Sequence, residues 1–357
     1  MSLVLTVDGD RWRAHLRGVA ERHPGLVPVV KGNGYGFGLG RLARKAQWLG
    51  VDTLAVGTYD EIAHVASRFE GDIVVLTPWR PFGTAVEVLD DDTLVRRVIH
   101  TVSRTVDLPD LLGRRPDARF VLERLTSMQR HGLAARELWA LAPTLADHPK
   151  ARLEGIAMHL PLAQGSHLSQ VGRLMTDVVG AELPAVAGAR RIWVSHLTDE
   201  ELTSLRASYA DFEFRPRIGT GLWLGDRGAL RVTATVLDVH AVERGDSFGY
   251  RGRTAPKAGH LLVVSGGTAH GIGLEAPTGD LNLKGRAGTL ARGGLDALGF
   301  VRSPFSIDGK QRLFAEPPHM QASMLFLPAG SRVPAVGEQV DVRVRYTTTA
   351  FDHVVLG

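Results

Sequence analysis

The strongest constraint on this chain is a repetition in its first two thirds. Short apolar or β-branched runs recur there, each followed by a stretch with apolar residues three and four apart. Runs of that kind suit strands covered on both faces, and the spacing after them suits helices packed by one side. The strand candidates are 26–30, 53–57, 73–77, 97–101, 119–123, 155–159, 191–195 and 214–219. Eight βα units predict an α/β fold of the (β/α)8 TIM-barrel type, with a doubly wound sheet as the competing arrangement. Function is then expected at the C-terminal ends of the strands. Asp60, just ahead of Glu61 and Ile62, is expected to cap a helix.

The pattern changes near 222–231, after which VTATVLDVHAV, HLLVVS, MLFLP and VDVRVRY read as strands between Gly and Pro punctuation. A barrel over 9–228 is therefore expected, with 1–8 and 229–357 forming a mostly β domain that completes the active site. The 357 residues are enough for both. The glycine-rich stretch 278–309 reads as a long loop or irregular insert.

Composition narrows the function classes. Hydrophobic residues make up 44% and charged residues 22%, as in a globular protein with a sizeable core. The net charge is only +4 and the arginines are scattered singly or in pairs, which is no nucleic-acid footprint. No run is long enough to span a membrane, and the opening MSLVLTVDGDRWR is too briefly apolar for a signal peptide. With no cysteine, disulfides, thiolate metal sites and cysteine nucleophiles are excluded together, and a cytoplasmic location is expected.

Lysine is rare, at positions 31, 45, 150, 257, 284 and 310, and only Lys31 directly follows an uninterrupted apolar run. In LVPVVKGNGYGFGLG it stands at the end of the first strand, before glycines at 32, 34, 36, 38 and 40. The order is wrong for a P-loop, where the lysine follows the glycines, and G-x-G-x-x-G does not fit either. A solvated turn lysine and a Schiff-base lysine beside closely approachable backbone both remain open.

The string VVKGNGYGFG resembles the VVKANAYGHG signature of alanine racemases and their fold relatives. Further segments resemble that family in the same order: LERLTSMQRHGL, GIAMH, RPRIGTGLWLG, FGYRGRT and MQASMLFLP. The resemblance implies pyridoxal 5'-phosphate as cofactor, carried by Lys31, with Tyr35 on its phosphate. It places Arg130 on the ring oxygen, His159 behind the site and Arg217 on the pyridine nitrogen. Gly219 and Thr220, through their backbone, and Ser195 with His196 are implied phosphate contacts. Tyr250 would be the second base beside Lys31, and Arg130 and the Met320 backbone would meet the substrate carboxylate. A phenol is a poor base unless its anion is favoured, so positive charge is expected around Tyr250.

The implied activity is two-base racemisation of an amino acid, by a homodimer with shared active sites. Departures from the pattern leave the amino acid open. Glu123 occupies the place of an often carbamylated lysine, Leu125, Ser127 and Gln321 replace usual residues, and the closing RYTTTAFDHVVLG shows no counterpart of a second, substrate-gating tyrosine. The alternatives are a pyridoxal-phosphate binding protein without turnover, a decarboxylase of the same fold, or a Schiff-base aldolase. The decarboxylases resemble one another through a catalytic cysteine absent here, and an aldolase leaves Arg217 and Tyr250 unexplained.

Overall fold

The computed structural model describes residues 2–162, 165–183, 190–274 and 301–357. They divide into two compact units, 13–225 and 1–12 with 226–357.

The 13–225 unit is the barrel. After the N-terminal strand β1 (Leu3–Val7), which belongs to the other unit, come β2 (Val27–Pro28), β3 (Thr53–Val56), β4 (Asp72–Val75), β5 (Val98–Val102) and β6 (Arg119–Arg124). β7 (Arg152–Met158), β8 (Arg191–Val194) and β9 (Glu213–Ile218) follow. Neighbours pair in parallel in the order β2-β9-β8-β7-β6-β5-β4-β3. A bridge from Val29 to Ala55, with the Val30 N–H donating to the Ala55 carbonyl at 2.7 Å, closes the ring. All eight expected strands are present, and closure excludes the doubly wound sheet.

Val27, Val29, Ala55, Val74, Ile99, Val121, Ala157 and Trp193 form one cluster inside the barrel. Side chains alternate across a strand, so residues two positions further on also face inward, one layer closer to the C-terminal mouth. At the opposite rim, six ion pairs run from Asp52 through Arg215, Glu213, Arg191, Glu154 and Arg119 to Asp72. Arg215 also lies over the Trp193 ring, which plugs the barrel from below. The scattered arginines of the sequence are thus partly a structural belt.

Asp60 is not the helix cap. Thr58 takes that place, with Glu61 completing the capping box, and Asp60 instead accepts a hydrogen bond from the Thr84 hydroxyl at 2.5 Å. Glu61 wins because its longer side chain folds back onto the N–H groups ahead of the turn.

His100 lies on the outer side of β5, fully buried, with Nδ1 2.9 Å from the Tyr59 hydroxyl. Burial pulls its pKa from the ordinary 6.5 down to about 3. The unfolded chain therefore takes up a proton across that interval while the folded protein does not. Stability is full above pH 6.5 and declines as the pH falls toward about 3. Urea unfolding of His100→Gln should show a shallower loss over that window, by up to ~1.4 kcal/mol per pH unit. Equal slopes would show that His100 does not carry the effect.

The other unit is an antiparallel β structure. Its strands are β1, β10 (Leu230–Val242), a small hairpin of β11 (Ser247–Phe248) and β12 (Arg253–Thr254), and β13 (Gly259–Ser265). β14 (Arg302–Ile307), β15 (Lys310–Phe314), β16 (Ala322–Pro328), β17 (Gln339–Val342) and β18 (His353–Leu356) complete it. The main sheet runs β13-β16-β15-β14-β17-β10-β1-β18, and a further pairing of β13 with β10 closes its first six strands. β10 reaches three partners because it is 13 residues long and carries an irregularity between Val236 and Asp238. The expected irregular insert is shorter than 278–309, since Arg302–Ile307 is a strand; 278–300 lies outside the described residues.

Candidate active site at the barrel mouth

The layer above the barrel core is where the apolar rule breaks. Two residues beyond Val29, Val121, Ala157, Trp193 and Arg215 stand Lys31, Glu123, His159, Ser195 and Arg217. Five polar side chains from five strands therefore converge on one mouth, which no single segment of sequence displays.

Lys31 is exposed there, and its loop is held from below. Glu61 accepts the Gly32 N–H on one oxygen and the Gly57 N–H on the other, both at 2.6 Å. The protein walls push the Lys31 pKa down, and Arg130 pushes it further; Glu61 opposes and Arg217 assists. The effect enriches the neutral amine, the form that acts as nucleophile or base.

Tyr35 is buried in left-handed backbone at φ 54°, an unusual conformation for a residue with a Cβ. Its hydroxyl rests on the Cα of Gly219 so closely that any Cβ there would collide with it. Burial, and to a smaller extent Glu61, raise the Tyr35 pKa to about 12, so the hydroxyl remains a donor. Gly219 in turn precedes the short helix Thr220–Trp223, whose first N–H groups have no intrahelical acceptor. Trp223 fixes this turn to the first strand by donating to the Val29 carbonyl at 2.8 Å.

Arg217 is buried, with one guanidinium nitrogen donating to the Met158 carbonyl at 3.1 Å while its Nε finds no acceptor. Burial lowers its pKa to about 10, against the favourable charge of Glu123. Glu123 is also buried and keeps one unpaired oxygen; burial raises its pKa, opposed by Arg217 and Arg130. An unpaired buried donor and acceptor are costly, which marks both as built for something.

His159 Nδ1 lies 3.0 Å from the Ser195 hydroxyl, and its ring meets that of His196 edge-on at 5.3 Å. Burial first, then Arg217 and Arg130, pull His159 down to about 3, so it is neutral at pH 7. His196 is exposed and sits at φ 61°. Arg130 is exposed in the loop after β6, which Thr126 ties to the His159 carbonyl at 2.6 Å.

Tyr250 and Met320 belong to the other unit and are 87% and 70% exposed, far above what an idle aromatic or methionine usually shows. The expected positive surround of Tyr250 is not what the described contacts of that unit provide. Its ring packs on His319 at 4.7 Å, and its N–H donates to Glu316 at 3.0 Å. Sequence reasoning missed Glu61, Glu316 and His319; only Glu61 had a signal, the T-x-x-E spacing of a capping box from Thr58.

A closed parallel barrel with an amine, two arginines and a neutral histidine at its C-terminal mouth, together with a second, antiparallel β unit, defines a two-domain barrel protein with a polar, cationic mouth. The sequence profile of the alanine racemase N-terminal domain matches residues 7–211. The alanine racemase of Nitratidesulfovibrio vulgaris strain Miyazaki F is 30% identical over 264 residues, covering 69% of this chain and 69% of that protein. That of Mycolicibacterium vanbaalenii is 29% identical over 72% of this chain and 70% of its own. Among solved structures, alanine racemase from D-cycloserine-producing Streptomyces lavendulae superposes with a TM-score of 0.71 at 20% identity, over 100% of this chain and 97% of that one. The Bartonella henselae enzyme, solved with covalently bound pyridoxal phosphate, gives 0.70 at 16% identity over 98% of each. The chain belongs to the alanine racemase family.

Proposed function

We propose that the protein is a pyridoxal-phosphate-dependent amino-acid racemase, acting in the cytoplasm as a homodimer with shared sites, with Lys31 and Tyr250 as its two bases. The observation that carries the cofactor is Arg217, a buried guanidinium whose Nε has no acceptor and whose charge is felt by Lys31. An aromatic ring nitrogen is the acceptor that fits it. Tyr35 and the backbone at Gly219 and Thr220 would hold the phosphate, with Ser195 and His196 at its edge. Arg130 would meet the ring oxygen and, with the Met320 backbone, the substrate carboxylate. Bound there, pyridoxal phosphate supplies an electron sink that weakens the substrate's Cα–H bond.

The residues of the chain supply the rest. Lys31, its amine biased toward neutrality, removes or returns the α-proton on one face. Tyr250 does so on the other, delivered in the family arrangement by the second subunit. Arg217 would donate to the ring nitrogen of the bound cofactor and, being positive, would disfavour a proton there. Glu123 balances Arg217, and His159, neutral and bonded to Ser195, fills the wall behind it without adding charge.

The test is solvent exchange. Protein purified with pyridoxal phosphate is incubated in deuterated water with each enantiomer of a panel of amino acids, alanine first. Deuterium at Cα with inversion of one amino acid is expected and names the substrate. Visible cofactor absorbance with no exchange would leave a binding protein, and carbon dioxide release would point to decarboxylation.

A further inference from the structure

We propose that Glu316 and His319 are a positioning pair for Tyr250, fixing both the backbone and the ring that present its hydroxyl. The inference rests on reading Tyr250 as a base. Tyr250 sits at the tip of the β11–β12 hairpin, a two-stranded ribbon of two residues a side that is too small to hold itself. Glu316 docks that tip. It is 3% exposed; one oxygen accepts the Tyr250 N–H at 3.0 Å and the other lies 2.7 Å from His319 Nε2. The carboxylate only accepts, so the bond assigns the proton to Nε2 and sets the imidazole plane. That ring then packs against the phenol at 4.7 Å, with 56° between planes.

Three further features show that the arrangement is specified. Gly249, at φ 72°, leaves room for Glu316 that any Cβ would occupy. Arg253, at the base of the hairpin, donates to the Ala315 carbonyl at 3.2 Å, beside Glu316. His319 is locked through its own backbone, its carbonyl accepting from Thr268 and its N–H donating to Ala322. A buried carboxylate is costly, and here its hydrogen bonds all go to the tip and to the imidazole that touches the phenol. An otherwise exposed tyrosine thereby gains a fixed backbone and one fixed ring face.

The experiment uses the holoenzyme with Glu316→Gln, His319→Phe and Tyr250→Phe. Deuterium uptake at Cα is measured from L- and D-alanine separately, or from the substrate the panel identifies, alongside bound cofactor by visible absorbance. Tyr250→Phe marks the enantiomer whose exchange needs the phenol. Both pair variants should slow exchange of that enantiomer roughly ten- to a hundred-fold while leaving the other enantiomer and cofactor content nearly unchanged. A purely structural role would lower both exchanges together, and such parity would overturn the proposal. A second readout needs no turnover. In cofactor-free protein labelled with fluorotyrosine, the position-250 fluorine signal, assigned by its loss in Tyr250→Phe, should move toward that of free tyrosine in Glu316→Gln. An unmoved signal would also overturn it. Wild-type protein exchanging neither enantiomer of any amino acid would refute the racemase reading alone, with the fluorine signal still deciding the pair.

Discussion

Lys31→Ala should lose racemisation by at least about 10³-fold and lose the visible absorbance of bound cofactor, because one substitution removes both the covalent anchor and a base. Among the described lysines, Lys31 is the one that follows a barrel strand at the C-terminal mouth. A variant that kept the absorbance would sink the assignment. The same variant tests subunit sharing. Inactive Lys31→Ala and inactive Tyr250→Phe proteins, unfolded together and refolded, should recover about a quarter of wild-type activity if each site joins Lys31 of one subunit to Tyr250 of the next. No recovery would place both bases in one chain.

Arg217→Glu should turn part of the racemase activity into transamination, measured as keto acid released per racemisation turnover. With an acid beside it, the ring nitrogen holds a proton and draws charge away from Cα. Each unit of pKa is tenfold in protonated fraction, so the ratio should rise at least about tenfold. The structure adds a complication and its control. Arg217 and Glu123 are both buried and attract one another, so the single variant places two acids in one buried site and should lower stability. Adding Glu123→Gln should recover part of that loss while keeping the altered ratio. An unchanged ratio in both variants would remove Arg217 from this role.

Much of the fold is written in local pattern. All eight barrel strands coincide with short runs rich in apolar residues, because a strand covered on both faces must be largely apolar. Asp60 misled because an acidic residue before an apolar run is a generic cap signal, whereas the turn is closed by Glu61, whose carboxylate reaches back to the Gly57 and Thr58 N–H groups. The strand Arg302–Ile307 was lost in a glycine-rich context whose register is set by β15 and β17, far from it in pattern though not in space.

The same distinction holds at the site. The sequence by itself determined the eight βα units and singled out Lys31, since one lysine after one apolar run is a local fact. It also held every motif that suggested a family. Only the tertiary structure decided that Lys31, Glu123, His159, Ser195 and Arg217 converge on one barrel mouth, that Glu61 tethers the lysine loop, and that Glu316 and His319 stand under Tyr250. The physical reason is that side-chain direction along a strand is fixed by alternation, which sequence reveals, whereas which strands adjoin is fixed by ring closure through Val29 and Ala55. Charges scattered over 160 residues of chain become the belt from Asp52 to Arg215 only after that closure.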